Sequence, residues 1–242
     1  MKKITLVVIA LLTVGITNGQ WGKKVKGNGK VITEERSTGD YNSIAVAGWF
    51  DVALVDGREG DITIEGEENL LEYIITEVKD GKLSVKVKKG YYLKPSSWDK
   101  GNINVTIPFE SINAVTMSGS GDIEGKKTIK AVDFRTSMSG SGDMALTVEA
   151  TNTSVSVSGS GDMALAGATE NLEIQISGSG DIKAYGLSAD NVTATVSGSA
   201  DIRVTANEML KARVSGSGDI YYKGNPKKVD SKTSGSGDIS RG

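Results

Sequence analysis

The chain has no cysteine and no histidine in its 242 residues. Without cysteine no disulfide can staple the fold and no thiol nucleophile exists. The two absences together also remove the usual zinc ligands, and with histidine goes the commonest general base. An excess of one charge is missing as well, since 28 Lys and Arg face 30 Asp and Glu for a net charge of −2. That balance provides no basic footprint for nucleic acid, which is not an expected partner. Long apolar runs are scarce too. The only one, Ile4–Ile16, follows Met1-Lys2-Lys3 and ends in Thr17-Asn18-Gly19-Gln20. A basic start, a short apolar core and small closing residues describe a secretory signal peptide over 1–19. The run is too short to span a bilayer, and no cysteine follows it to carry a lipid. The expected mature chain is exported (periplasmic, on the outer cell surface or secreted) and has no membrane span.

What the sequence does have is a repeat. Ser-Gly-Ser-Gly-Asp, once with Ala in place of the second Gly, ends at Asp122, Asp143, Asp162, Asp181, Asp201, Asp219 and Asp238. Successive aspartates are 21, 19, 19, 20, 18 and 19 residues apart. A self-similar period near 20 is the mark of a solenoid or array.

Alignment on the aspartates brings out the core. Five residues before each stand Met117, Met138, Val157, Ile176, Val196, Val214 and Thr233, and one residue after each stand Ile123, Met144, Met163, Ile182, Ile202, Ile220 and Ile239. A looser column follows three residues after, from Gly125 and Leu146 to Tyr222. Apolar residues alternating with polar ones at period two describe strands with one buried face. The Gly-Ser-Gly corner allows positive φ for a sharp bend, and its Asp and Ser side chains can bond free turn amides. A single coil buries too little to offset the entropy of ordering it, so coils must stack. An antiparallel meander with hairpin tips and a parallel β-helix both fit. The retained columns favour an all-β, parallel β-helix of about 19–20 residues per coil, right-handed by the general bias of parallel crossovers.

The first half diverges from this pattern. Ser43–Leu54 aligns with Ser154–Leu165, with Trp49 and Phe50 where the second Ser and Gly of the corner would stand. Val25–Val31 imitates Val214–Ile220. Residues 20–55 therefore read as degenerate first coils, 56–110 as an aperiodic β-rich insertion or cap, and 111–242 as the regular helix. Within 56–110, Asp61–Glu65 alternates as a strand and Glu68–Tyr73 suits a short helix. Asp80-Gly81 marks a hairpin between Thr76–Lys79 and Lys82–Lys88, Tyr91–Trp98 reads as a loop, and Asn102–Phe109 as a strand. Nine of the 13 aromatic residues precede residue 111. They either pack the open end of the solenoid or form a binding platform. Trp49, Phe50, Tyr91, Tyr92 and Trp98 are the surface candidates.

Gly27-Asn28-Gly29-Lys30, Phe50-Asp51-Val52, Asn69-Leu70-Leu71, Val78–Leu83 and the serial Gly-Ser-Gly-Asp corners together resemble the head-GIN-domain family of exported Bacteroidetes auto-transporter adhesins. The resemblance runs from about Val25 to Ile239. It implies a pectin-lyase-like β-helix without catalytic residues and a role in cell adhesion. No terminal series of lipid-facing strands is present, so self-transport is not expected.

Three functional readings follow. The first is a non-catalytic exported adhesin or scaffold that meets a glycan or a host or cell-surface protein through its sheet faces, with self-association open. The second is a calcium-stabilised repeat protein using the aspartate ladder, whose stacked carboxylates would repel unless something offsets them. The third is a polysaccharide-processing enzyme. It is disfavoured because Asp133, Glu149, Glu173 and Glu208 share no strand position. No catalytic residue, cofactor or metal is expected under the first reading.

Overall fold

The computed structural model describes residues 22–97 and 102–242. The signal-peptide segment 1–19, Trp21 and Trp98 lie outside the described residues. The chain folds as a β-solenoid of about seven turns with an N-terminal β block.

From the N-terminus run β1 (Lys23–Lys26), β2 (Val31–Ser37), β3 (Ser43–Gly48), β4 (Asp51–Asp56) and β5 (Asp61–Glu67). A one-turn helix, α1 (Glu68–Leu71), leads to β6 (Ile74–Lys79), β7 (Lys82–Val87), β8 (Tyr91–Lys94) and β9 (Asn104–Phe109). The repeat region holds β10 (Ala114–Gly119), β11 (Ile123–Gly125), β12 (Ile129–Gly140), β13 (Met144–Gly159), β14 (Met163–Gly178) and β15 (Ile182–Gly198). It closes with β16 (Ile202–Gly216), β17 (Ile220–Lys223), β18 (Lys228–Gly235) and β19 (Ile239–Arg241).

Parallel pairing with the columns in register builds the stack. Met117 lies opposite Met138, which lies opposite Val157, then Ile176, Val196 and Val214. The column after the aspartates aligns in the same way from Ile123 to Ile239. Along both columns the residues from Met117 to Val214 and from Ile123 to Ile220 are at most 3% exposed. Each coil closes the apolar face of its neighbour, which makes the stack the unit of stability. In the last coil the first column ends in an exposed Thr233.

The corner glycines differ from the expectation in one respect. The first glycine of each corner has positive φ, as at Gly119 (142°), Gly159 (140°) and Gly178 (146°). The second does not, and its need for glycine is close approach. A Cβ on Gly180 would collide with the backbone carbonyl oxygen of Gly161 in the preceding coil. Corner amides are satisfied between coils: Ser160 N–H donates to Gly140 O at 2.9 Å and Ser179 N–H to Gly159 O at 2.9 Å.

Residues 43–56 form a true coil, with Gly48 opposite Gly119 and Val52 opposite Ile123. The segment Val25–Val31, expected as another early coil, is not one. Strand β1 pairs with β8, and β2 runs antiparallel to β5. Antiparallel pairing thus occurs in the N-terminal block, whereas the Gly-Ser-Gly corners join parallel strands and none is a hairpin tip. Tyr91–Lys94, expected as loop, is the strand that receives β1.

The aperiodic block folds back behind the first coil. Strand β7 lies parallel to β3 and β9 parallel to β4, so these two strands supply an outer coil. Beyond it the direction changes: β6 is antiparallel to β7, and β5 is antiparallel to β9. The β6–β7 hairpin turns through Asp80 (φ 52°) and Gly81 (φ 73°), the left-handed pair that such a turn requires. Antiparallel strands thereby cover the edge that a parallel stack would leave open.

Candidate functional site

The aspartate ladder runs along one corner, and each rung bonds the next. Oδ1 of Asp122 accepts the backbone N–H of Asp143 at 2.9 Å, and Asp143 does the same for Asp162 at 2.9 Å. The pattern continues through Asp181, Asp201, Asp219 and Asp238 at 2.7–3.1 Å. Second carboxylate oxygens find side chains toward the C-terminal end. Lys183 Nζ donates to Asp162 Oδ2 at 2.7 Å, and Tyr221 Oη donates to Asp219 Oδ2 at 2.9 Å. Arg203 bridges Asp181 and Asp201, each at 3.4 Å. Burial alone would raise the Asp162 pKa. The Lys183 ammonium and the Asp181 amide outweigh burial and hold it below the ordinary carboxylate value. Backbone donors and cations therefore offset the repulsion expected of stacked carboxylates.

A second ladder lies at the opposite bend, where the sequence pattern shows only a looser corner. Strand pairing there skips Val132, Thr151, Glu170 and Asp190 as the chain turns. Immediately after the turn, Asn152 Nδ2 donates to Asp133 Oδ1 (2.8 Å), Asn171 to Asn152 (2.9 Å) and Asn191 to Asn171 (3.1 Å). These four residues form one wall of an open groove of about 650 Å³. Arg135, Ser154, Glu173 and Thr193, two positions on in each strand, form the other wall. Between them the floor is closed by Phe134, Thr153 and Leu172, each at most 2% exposed. The groove runs across the coils, along the solenoid axis. A column ten residues before Asp143, Asp162, Asp181 and Asp201 would have exposed this ladder in the sequence.

The aromatic candidates scatter. Phe50 is fully buried and cannot act as a surface contact. It fills the corner position that later coils give to glycine, with its ring against Gly48 and its backbone against Gly121. Trp49 is half-buried against the core, 6.0 Å from the Phe50 ring. Tyr91 stacks on Tyr73 at 4.5 Å beneath the Lys88 ammonium. Tyr92 is 57% exposed, the most open of the candidates whose placement is described.

A third feature has no signal in the repeat pattern. Glu67, at the end of β5, is fully buried. Its carboxylate accepts the backbone N–H groups of Gly29 and Ser96. A Cβ on Gly27 would strike that carboxylate, so Gly27 is required by close approach. Asn69 completes the clasp, donating to Lys26 O (2.8 Å) and accepting from Asn28 N–H (2.9 Å). Burial alone would raise the Glu67 pKa, but the Ser96 and Gly29 donors outweigh it and hold it below its usual range.

Known proteins share this fold. The family model described as "Putative auto-transporter adhesin, head GIN domain" matches residues 40–226. The chain belongs to this family. Among solved structures, a "putative adhesin" from Bacteroides fragilis is 25% identical with a TM-score of 0.80, over 90% of this chain and 99% of that one. A "Putative lipid binding protein" from Parabacteroides distasonis is 25% identical with a TM-score of 0.75, over 91% of this chain and 100% of that one. A "putative adhesin" from Parabacteroides merdae, 24% identical with a TM-score of 0.72 over 91% and 100%, shares the fold. No curated protein matches the chain. The motifs of this head GIN chain now have structural reasons. Gly27, Gly29 and Asn69 build the Glu67 clasp, and Phe50-Asp51-Val52 is the first corner of the stack. Among the described residues no helix is long and apolar enough to cross a membrane.

Proposed function

We propose that this head GIN domain protein is an exported, non-catalytic binding protein, an adhesin or scaffold, that engages a glycan or a cell-surface protein through its outer faces. One observation carries the reading: the polar groove beside the Asp133–Asn191 ladder runs unbroken across four coils. Solenoid faces of this kind serve as extended contact surfaces. The family description and the adhesin relatives support a binding role, and the basic, then apolar, N-terminal segment supports export. The lipid-binding name of one relative does not alter the reading, because the groove that carries it is lined mostly by polar side chains.

Adherence tests the proposal. Beads coated with the mature chain are expected to be retained on bacterial or host cells, and fractionation to find the protein outside the cytoplasm. Absence of retention on every cell surface tried, or turnover of a polysaccharide, would overturn it.

A further inference from the structure

Each amide of the asparagine ladder has hydrogen-bonding capacity left over. A primary amide offers two N–H donors and two carbonyl lone pairs. Asn152 and Asn171 each spend one donor on the coil before and one lone pair on the coil after, while Asn191 spends one donor on Asn171. One donor and at least one acceptor per asparagine therefore remain, and Asn152 and Asn171 are exposed. They recur at the coil spacing, about 4.8 Å.

We propose that this groove binds a neutral, hydroxyl-rich linear glycan laid along the solenoid axis, about one sugar unit per coil. The inference rests on reading the protein as a binding module and names the ligand of that module. Sugar hydroxyls both donate and accept, which matches the paired capacity left on each asparagine rung, while Asp133 adds acceptors alone. An extended peptide advances only about 3.3 Å per residue, so its groups would drift out of step with the rungs. Nor can a peptide add as a strand here, because the backbone beneath the groove is already paired on both sides. Charge points the same way. Among the described residues Arg135 is the one cation lining the groove, against Asp133 and Glu173. A polyanionic chain would meet net negative charge, and a neutral one meets no such barrier. The closed floor keeps the ligand on the surface, where a long polymer can enter and leave sideways.

The test uses the full mature chain with mannan, xylan and β-glucan, with polygalacturonate as the anionic control and a peptide library as the competing class. At least one neutral polymer is expected to bind, and its oligosaccharides to bind more tightly with length until about four units are reached. Ser154→Trp, opposite the ladder, fills the groove without breaking a rung and should weaken binding at least tenfold with unchanged melting. Asn171→Ala should also weaken binding, and Ser154→Trp guards against misreading any unfolding it causes. Equal binding by Ser154→Trp, preference for polygalacturonate, or capture of peptides alone would overturn the inference. If coated beads adhere to cells and Ser154→Trp beads adhere equally, the groove assignment fails while the adhesin reading stands.

Discussion

Oδ1 of Asp162 accepts the backbone N–H of Asp181 at 2.9 Å, so one coil's carboxylate caps the next coil's corner. The charge repeats up the stack because the acceptor is needed at every coil. Stability should therefore depend on the acceptor more than on a bound cation. Asp162→Asn keeps an oxygen for the Asp181 amide, whereas Asp162→Ala leaves that amide without its partner. Thermal melts are expected to rank Asp162→Ala below Asp162→Asn, and a chelator to leave the wild-type midpoint unchanged. A cation bound only by the native state would raise the midpoint by mass action. A drop of many degrees with chelator would therefore revive the calcium-stabilised reading.

The two corner glycines should fail for different reasons. Gly178 combines a φ of 146° with a close approach to Gly159, so alanine there meets both backbone strain and collision. Gly180 has only the close approach, and the next coil already carries Ala200 at the equivalent position, fully buried. Gly178→Ala should cost about 1–3 kcal/mol more than Gly180→Ala, the usual range for a strained backbone conformation. Gly180→Val should be worse than Gly180→Ala, because branching adds bulk where even one methyl meets the Gly161 carbonyl oxygen. Equal unfolding midpoints for Gly178→Ala and Gly180→Ala would contradict this account.

The regular coils are legible because their inward residues recur at a fixed offset from each aspartate, which local sequence displays directly. Met138, Val157 and Ile176 align by counting back five places from their aspartates, and Ser43–Leu54 aligns with a later coil residue by residue. The cap is not legible in this way, since its pairings join distant residues: Lys23 meets Tyr91, and Val31 meets Glu67. No local period records such contacts. The Asp133–Asn191 ladder is readable in principle. Its members are spaced 19, 19 and 20 residues apart, but it spans only four coils and begins with Asp rather than Asn. Phe50 misleads because its corner position is solvent-facing only if the side chain points outward. The glycine it replaces sits on the inner side of the turn, and the ring follows that direction into the core.

The Glu67 clasp predicts an acid-sensitive end. Its carboxylate is held below the ordinary glutamate value of about 4.3 by backbone donors. A depressed folded-state pKa means the stabilisation is present above the unfolded value and is lost as pH falls through the folded one. Protection of the β1–β8 pair against proteolysis or hydrogen exchange should therefore fade below about pH 4. Glu67→Gln should weaken it at neutral pH as well, by about 2 kcal/mol, the scale of hydrogen bonds to a charged group. Protection that is independent of pH in the wild type would show that the clasp does not hold this end.

Trp49 and Phe50 provide the sharpest separation of packing from recognition. Phe50 is fully buried, and the neighbouring Asp51 N–H donates to Ile103 O at 3.0 Å, which ties this corner to the outer coil. Phe50→Ala removes a large ring from a filled site and should cost about 3–5 kcal/mol. Trp49 is only half-buried, and Trp49→Ser should cost distinctly less. Loosening the corner should also unseat β7 and β9 and uncover the edge of β3 and β4, so Phe50→Ala is expected to self-associate on mild heating. Light scattering during a thermal ramp would detect this, with Trp49→Ser as the control. If Phe50→Ala melts like the wild type and stays monomeric, the ring does not anchor the cap. Glycan binding measured on the folded Phe50→Ala protein should be unchanged, because the groove lies on coils that do not touch this corner.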